Sequence, residues 1–142
     1  MNIDISLSKQ TVLAISYTQT LISEKLSEVL KPYDISIEQF NVLRILRGQK
    51  NKPINMGAIQ ERMIAKTSNT TRLIDKLLAK GLVDRAVCEN NRRKIEVTIT
   101  DKGLKLLNVV DKLVDSTESS ICVKLSEQEQ KQLIQLLEKI RN

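Results

Sequence analysis

The segment Thr67–Thr100 decides the fold, and its sequence is TSNTTRLIDKLLAKGLVDRAVCENNRRKIEVTIT. Apolar residues in its first half recur every three or four positions, which predicts an amphipathic helix with a polar start. Gly81 ends this helix, because glycine readily adopts the left-handed backbone that closes helices. Residues 82–88 and 95–99 alternate apolar and polar side chains around the polar turn 89–94, which predicts a two-stranded hairpin.

Further helices are predicted on both sides of this segment. Residues 7–31 carry an apolar stripe at helical spacing, and the proline that follows stops the first helix. Two more helices lie between the first helix and the helix of the opening segment, and another two follow the hairpin. The residues expected to cap the second, third, fifth and sixth helices are Ser36, Asn55, Thr100 and Ser126.

The expected fold is mainly α with a small β-hairpin wing. It is a winged helix-turn-helix over residues 34–100, within a single domain that covers 1–142. The flanking segments 1–32 and 101–142 carry apolar stripes that are wider than so small a core can cover, which predicts dimerisation helices. In the last helix the residues expected to face inward are Leu133, Leu136, Leu137 and Ile140.

Composition restricts the class of protein. A chain of 142 residues with 41% hydrophobic and 28% charged residues is long enough and apolar enough for one folded domain. No apolar run reaches the roughly 18 residues of a membrane span, and the N-terminus lacks a signal-peptide pattern, so a cytoplasmic protein without a membrane partner is expected. Two cysteines and no histidine argue against a metal site, a cofactor and imidazole catalysis, so we expect no enzyme.

The net charge of +6 is concentrated in the middle of the chain. Residues 41–105 hold 15 Lys and Arg against 6 Asp and Glu, whereas the remainder holds 8 against 11. This distribution is expected when the middle of a protein faces a polyanion and its ends face protein. The polar helix start and the two adjacent arginines of the hairpin suit base edges and phosphates, so duplex DNA is the expected partner. A merely solvated basic surface is the alternative.

Three segments carry a resemblance to a known family. They are KPYDISIEQFNVLRIL at 31–46, TTRLIDKLLAKGLVDR at 70–85 and NNRRKIEVTITDKG at 90–103. In this order and at these spacings they resemble the MarR family of bacterial winged-helix regulators. The resemblance implies a homodimer with interleaved terminal helices that binds a palindromic operator in double-stranded DNA. It also implies a repressor that a small-molecule effector or an oxidant releases from DNA.

In the family, the fourth helix enters the major groove and the wing contacts DNA beside it. Carried over by position, the resemblance implies seven DNA-binding residues, namely Ser68, Asn69, Thr71, Arg72, Lys76, Arg92 and Arg93. Asparagine can pair with adenine through two hydrogen bonds, and arginine can pair likewise with guanine. The alternatives are that Thr67 or Ser68 only caps the helix and that Arg72 pairs with Asp75. Thr70 is expected to pack inward.

Two positions depart from the family pattern. An acidic residue usually precedes the two wing arginines, and here Asn91 takes its place, which predicts a less firmly held wing tip. Arg93 is the residue expected in the minor groove, with Arg92 internal or on a phosphate. Gln60 replaces the small residue that usually packs beneath the fourth helix, which predicts a slightly shifted helix angle.

Effector binding leaves weaker signals in the sequence. A pocket is expected where the terminal helices meet the DNA-binding lobe, although its residues also suit an ordinary core: Tyr17, Tyr33, Phe40 and Met56. Cys88 is expected to be buried and inert, whereas Cys122 lies in a turn and is the better candidate for oxidation. Neither cysteine lies in the first helix, where the family's peroxide sensors carry theirs. The alternative function is a winged-helix module that docks proteins and does not bind DNA.

Overall fold

The computed structural model describes residues 4–142, except that only the backbone of Arg92 is described. Helices and a small sheet alternate in the predicted order, and a 3-10 turn at Lys31–Tyr33 follows the first helix. None of the helices in the described range is both long and apolar enough to cross a membrane. In chain order the elements are α1 (Leu7–Leu30), α2 (Ile37–Gly48), β1 (Ile54–Asn55), α3 (Met56–Arg62), α4 (Thr70–Ala79), β2 (Val83–Cys88), β3 (Asn91–Ile99), α5 (Asp101–Ile121) and α6 (Glu127–Arg141).

The four predicted helix caps are confirmed. At α2, Ser36 Oγ accepts a hydrogen bond from the backbone N–H of Gln39 at 3.1 Å, and Gln39 Oε1 accepts one from the N–H of Ser36 at 2.9 Å. Asn55 and Thr100 each accept a bond from the backbone N–H three residues ahead, at the starts of α3 and α5. A second capping box at Ser126 opens α6. These bonds satisfy helix N–H groups that would otherwise have no partner.

The start of α4 differs from the prediction. Its first helical residue is Thr70, and its N-cap is Asn69, whose Oδ1 accepts from the backbone N–H three residues ahead at 3.1 Å. The alternative in which Thr67 or Ser68 caps this helix is therefore wrong. The N–H of Ser68 donates instead to the C=O of Ala65 at 3.0 Å, which closes a turn before the helix. Asparagine is among the strongest N-cap residues, so the helix begins after it.

The sheet has three antiparallel strands in the order β1-β3-β2. β2 and β3 form the predicted hairpin, whose regular pairing runs from Val83 opposite Ile99 to Val87 opposite Ile95. β1 was not predicted, because a strand of two residues is too short to show alternation. Its Ile54 is buried and pairs with Val97, so β1 ties the start of α3 to the base of the hairpin.

One hydrophobic core joins α2, α4, the sheet and the first half of α5. Leu30 brings the end of α1 into this core. Gly103 is buried near the start of α5, and a Cβ atom added there would lie 2.3 Å from the carbonyl oxygen of Leu82 and 2.7 Å from Ile99 Cγ1. Only a glycine therefore allows α5 to lie this close to the base of the hairpin. Other fully buried side chains of the core include Val42, Leu43, Ile59, Ile74, Leu77, Val97, Leu107 and Val110.

The terminal helices leave apolar side chains exposed. The prediction that the apolar stripe of α6 faces inward is wrong for the single chain, because α6 has no buried residue. Leu133, Leu136 and Ile140 are 45%, 52% and 62% exposed. At the start of α6, hydrogen bonds from Ser126 hold the pKa of the Glu129 carboxyl below its ordinary value. The bond from the backbone N–H of Ser126 has the larger effect, and the bond from its hydroxyl has the smaller one. The helix is thus well capped, while its apolar side is uncovered.

Candidate nucleic-acid interface

The fourth helix separates a buried side from an exposed side. Thr70 and Ile74 are buried against the core, as the sequence predicts. Thr71, Arg72 and Lys76 are exposed. Arg72 and Lys76 lie on the same face of α4, because residues four apart on a helix are neighbours. The first turn of α4 therefore presents a polar surface on a helix whose other side is fixed by packing.

Arg72 has no acidic partner among the described residues. Its nearest candidate in sequence, Asp75, accepts instead from Arg85 of β2, with Asp75 Oδ1 and Arg85 Nη1 3.2 Å apart. The alternative in which Arg72 pairs with Asp75 is therefore wrong. Both members of the observed pair are about half exposed, so the pair itself contributes little stability. Its effect is to leave the guanidinium of Arg72 available for an external partner.

The residues just before α4 differ in their availability. Asn69 is exposed, but its Oδ1 is occupied as the helix cap. Pairing with adenine through two hydrogen bonds uses both the oxygen and the nitrogen of the amide. Asn69 can therefore offer its Nδ2 donor without losing the cap, and full pairing with a base would require Oδ1 to accept a second hydrogen bond beside the cap bond. Ser68 is half-buried.

The turn between α3 and α4 is held by contacts that sequence reasoning missed. Gln60 Nε2 donates a hydrogen bond to the C=O of Lys66, and Gln60 Oε1 accepts one from the Thr70 hydroxyl. Asn41 Oδ1 of α2 accepts from the N–H of Ile64 at 2.9 Å. These partners are 6, 10 and 23 residues apart in the chain, so no local pattern indicates them. They make the turn part of the folded framework.

The wing carries its basic residues where strand pairing is interrupted. After Val87 opposite Ile95, the register shifts so that Cys88 lies opposite Asn91, which leaves 92–94 without partners on β2. Such bulges turn side chains away from a regular ladder. Arg93 is exposed, and its backbone N–H donates to Asn91 Oδ1 at 3.0 Å. Asn91 thus holds the arginine's backbone. The side chain of Arg92, for which a DNA role is predicted, lies outside what the structure describes.

An open cleft of about 1160 Å³ lies between α1, the start of α2 and α4. Acidic and basic side chains both line it, including Glu24, Glu28 and Lys76. Lys80, the C-cap of α4, donates to the C=O of Asp34, and its Nζ lies 3.5 Å from Asp34 Oδ2. Lys76 thus belongs to both surfaces: it lines the cleft, and it lies on the exposed side of α4. A group bound in the cleft would contact both the terminal helix α1 and the fourth helix.

The four residues predicted to form an effector pocket do not line this cleft. Tyr17 is 72% exposed on α1, and Phe40 is a buried member of the core. Phe40 also receives the guanidinium of Arg44 over its ring, 5.7 Å from the ring centre. Tyr33 and Met56 are partly buried and pack against the core. The ordinary packing role that the sequence also allowed fits Phe40, Tyr33 and Met56.

The two cysteines are free and equally half-buried. The prediction that Cys88 is buried is therefore wrong, because it ends β2 at the irregular tip of the hairpin. Cys122 follows the last residue of α5 and lines a small cavity beside the link to α6. The described residues contain no cluster of three or more side chains suited to hold a metal ion.

An exposed polar helix start, a buried opposite side and a basic two-stranded wing together define a winged helix-turn-helix domain of the DNA-binding class. Comparison with known proteins agrees with this class and narrows it. The model of the MarR family matches residues 35–95. The HTH-type transcriptional regulator PecS of Dickeya dadantii is 30% identical over 129 residues, which cover 89% of this chain and 76% of PecS. The chain therefore belongs to the MarR family of transcriptional regulators, and it is not an enzyme.

Two further relatives are informative. The transcriptional repressor MprA of Escherichia coli is 27% identical over 124 residues, which cover 87% of this chain and 70% of MprA. A crystal structure of a MarR variant from E. coli in complex with operator DNA is similar with a TM-score of 0.82 and 25% identity. The match covers 96% of this chain and 99% of that one. The structural similarity thus extends beyond the winged helix-turn-helix to the terminal helices.

Proposed function

We propose that this regulator acts in the bacterial cytoplasm. There it binds a palindromic operator in double-stranded DNA as a homodimer and represses transcription. The observation that carries the proposal is the exposed first turn of α4, where Arg72 has no acidic partner among the described residues. The basic bulge of the wing supports the same surface, because the exposed side chains of Arg93 and Lys94 lie outside the strand ladder, where they can meet phosphates. The E. coli MarR variant bound to operator DNA and the repressor MprA are similar to this chain.

The exposed apolar side chains of the terminal helices support the homodimer. A monomer rarely leaves so many large apolar side chains uncovered on neighbouring helices. The uncovered apolar side of α6 and the exposed stripe of α1 suit a second copy of the chain, since a twofold interface pairs like surfaces. The exposed apolar residues on α1, α5 and α6 include Val12, Tyr17, Leu21, Val109, Leu113, Leu133, Leu136 and Ile140.

Selection from random duplex DNA tests the proposal directly. We expect it to return a palindrome whose half-sites lie about one helical turn apart, since two α4 helices related by a twofold axis read successive major grooves. Sequencing of the bound pool provides the measurement. A pool without an enriched site would favour the protein-docking alternative, and a single unrepeated half-site would contradict the dimer.

Arg93→Ala should weaken binding to the selected site and reduce its salt dependence. Each phosphate charge neutralised by the protein contributes about 0.9 to the slope of log affinity against log salt. Loss of Arg93 from both wings of the dimer should therefore reduce the slope by about two. Titration of labelled DNA at several salt concentrations measures it.

The control for this prediction is Lys139→Ala, which removes the same charge from the exposed surface of α6. It should leave the slope unchanged. Arg93→Lys, which keeps the charge, should restore most of the slope. If Arg93→Ala and Lys139→Ala give the same slope as the wild type, the wing does not contact DNA.

We propose further that an effector acts through the open cleft between α1 and α4. An anionic group bound there would compete with Asp34 for the ammonium of Lys80, which joins the end of α4 to the segment before α2. Such competition would bear directly on the position of the DNA-reading helix. A small acid that releases the operator from the wild type but not from Lys80→Met would support this site. Equal release from both proteins would contradict it.

A further inference from the structure

Gln60 connects three parts of the helix-turn-helix. It lies on α3, its Nε2 donates to the backbone C=O of Lys66 in the turn, and its Oε1 accepts from the hydroxyl of Thr70 on α4. Lys66 in turn donates from its Nζ to the C=O of Glu61, next to Gln60 on α3. One side chain thus holds the turn and the first residue of α4 at the same time.

The bond to Thr70 is well placed to control α4. Thr70 is 6% exposed, so its hydroxyl is shielded from water and depends on a protein acceptor. α3 has only seven residues, and Ile59 is its one buried side chain in the described structure. Met63, the C-cap of α3, is also buried, and Met56 and Ala58 pack partly buried against the core. The bond between Gln60 and Thr70 adds a directional contact to this apolar packing. A polar contact at the first residue of α4 acts where the helix is expected to approach DNA.

We propose that Gln60 is a positioning residue that fixes the angle of α4, so that sequence-specific binding depends on it more than general attraction to DNA does. This inference rests on the proposed DNA-binding function. Specific readout requires side chains on α4 to reach base edges with correct geometry, whereas attraction to phosphates tolerates small rotations. A change at Gln60 should therefore reduce the preference for the operator while leaving the exposed cations in place.

The test uses the full-length protein, the selected operator and an unrelated duplex of equal length. Gln60→Met keeps the length of the side chain and removes both hydrogen-bonding groups. Thr70→Val keeps the shape of the buried residue and removes its hydroxyl. Thr70→Val removes one hydrogen bond and should weaken operator binding about five- to tenfold. Gln60→Met also removes the bond to Lys66 and should weaken it at least as much. Binding to the unrelated duplex should change less than about twofold, because phosphate contacts are retained.

The double variant Gln60→Met, Thr70→Val separates positioning from independent effects. If Thr70 acts only through its bond to Gln60, the double variant should bind the operator no more weakly than Gln60→Met alone. Gln60→Glu keeps an acceptor for Thr70 but adds a negative charge, which weakens binding to both duplexes alike. Its preference for the operator over the unrelated duplex should therefore exceed that of Gln60→Met. Exposed Gln128→Met on α6 is the control for a glutamine-to-methionine change and should have no effect.

The outcomes are distinguishable. Operator affinity that stays within about twofold of the wild type in Gln60→Met and Thr70→Val would overturn the role of Gln60 but not DNA binding. Equal loss on both duplexes, together with a lower melting temperature, would assign Gln60 a merely structural role and overturn the proposal. If Gln60→Met does not fold, Thr70→Val alone decides between these results. A wild-type protein that selects no duplex would overturn the proposed function, and the inference with it.

Discussion

Gly103→Ala should lower the melting temperature of the protein by about 10 °C. The added methyl group would lie 2.3 Å from the carbonyl oxygen of Leu82 and 2.7 Å from Ile99 Cγ1, well inside van der Waals contact. The nearer atom is backbone, so no rotamer change relieves the clash. Overpacking of this kind costs about 3 kcal/mol, which corresponds to about 10 °C in a chain of this size. Thermal unfolding followed by circular dichroism measures the change.

A matched change elsewhere provides the control. Gly48 is the last residue of α2, and an added Cβ there would meet nothing within 4 Å. Gly48→Ala should therefore be neutral or stabilise the protein by about 0.5 kcal/mol, because alanine restricts the unfolded chain. Both variants must be compared at one protein concentration, since dimer formation shifts the apparent stability. Equal melting temperatures for the two variants would contradict the close approach of α5 to the hairpin.

The position of Gly103 links its substitution to DNA binding as well as to stability. Thr100 caps α5, because its hydroxyl oxygen accepts a hydrogen bond from the N–H of Gly103 at 3.1 Å. The same hydroxyl donates a hydrogen bond to the C=O of Gly81 at 2.7 Å. Gly81 follows Lys80, the C-cap of α4, so the start of α5 contacts the end of α4 through this hydroxyl. A displaced α5 would therefore disturb the base of the wing. We expect Gly103→Ala to weaken operator binding even below its melting temperature.

Leu136→Arg should convert the proposed dimer into a monomer without unfolding the chain. Leu136 is 52% exposed in the single chain, so the arginine can reach water in the monomer. In a dimer through α6 it would bury a charge without a partner, at a cost of about 3 kcal/mol or more. The dissociation constant of the dimer should rise at least about 100-fold. Sedimentation velocity over a concentration series measures this change.

The control is Gln135→Arg, which adds the same charge on the opposite side of α6, where the neighbouring residues are polar. It should remain a dimer with unchanged helix content. The monomeric Leu136→Arg should bind a single half-site weakly and lose its preference for the palindrome, because the two α4 helices no longer bind as one unit. A Leu136→Arg protein that sediments as a dimer would exclude α6 from the interface.

Much of the fold could be predicted because its signals are local. The caps at Ser36, Asn55, Thr100 and Ser126 depend on residues within three positions of each other, and the structure forms all four. The apolar spacing of α4 and the alternation of the hairpin likewise reflect the geometry of single elements. The strand β1 escaped prediction because its two residues become a strand only by pairing with β3.

The candidate site was less predictable, since its contacts join distant residues. Asp75 is three residues from Arg72 but pairs with Arg85, because β2 lies beside α4 after the chain turns at Gly81. The bond between Gln60 and Thr70 depends in the same way on how α3 crosses α4. Sequence alone could name the exposed polar residues of α4. It could not tell which of them already have partners.

The sequence by itself determined the helices, their caps, the hairpin and the basic middle of the chain, because these follow from neighbouring residues and from composition. Only the tertiary structure decided that Asn69 caps α4 and that the apolar stripe of α6 is uncovered. It also decided that Gly103 alone fits where α5 meets the hairpin. Burial depends on which elements pack together. A stripe that looks like a core in sequence therefore becomes an exposed surface when no element of the same chain covers it.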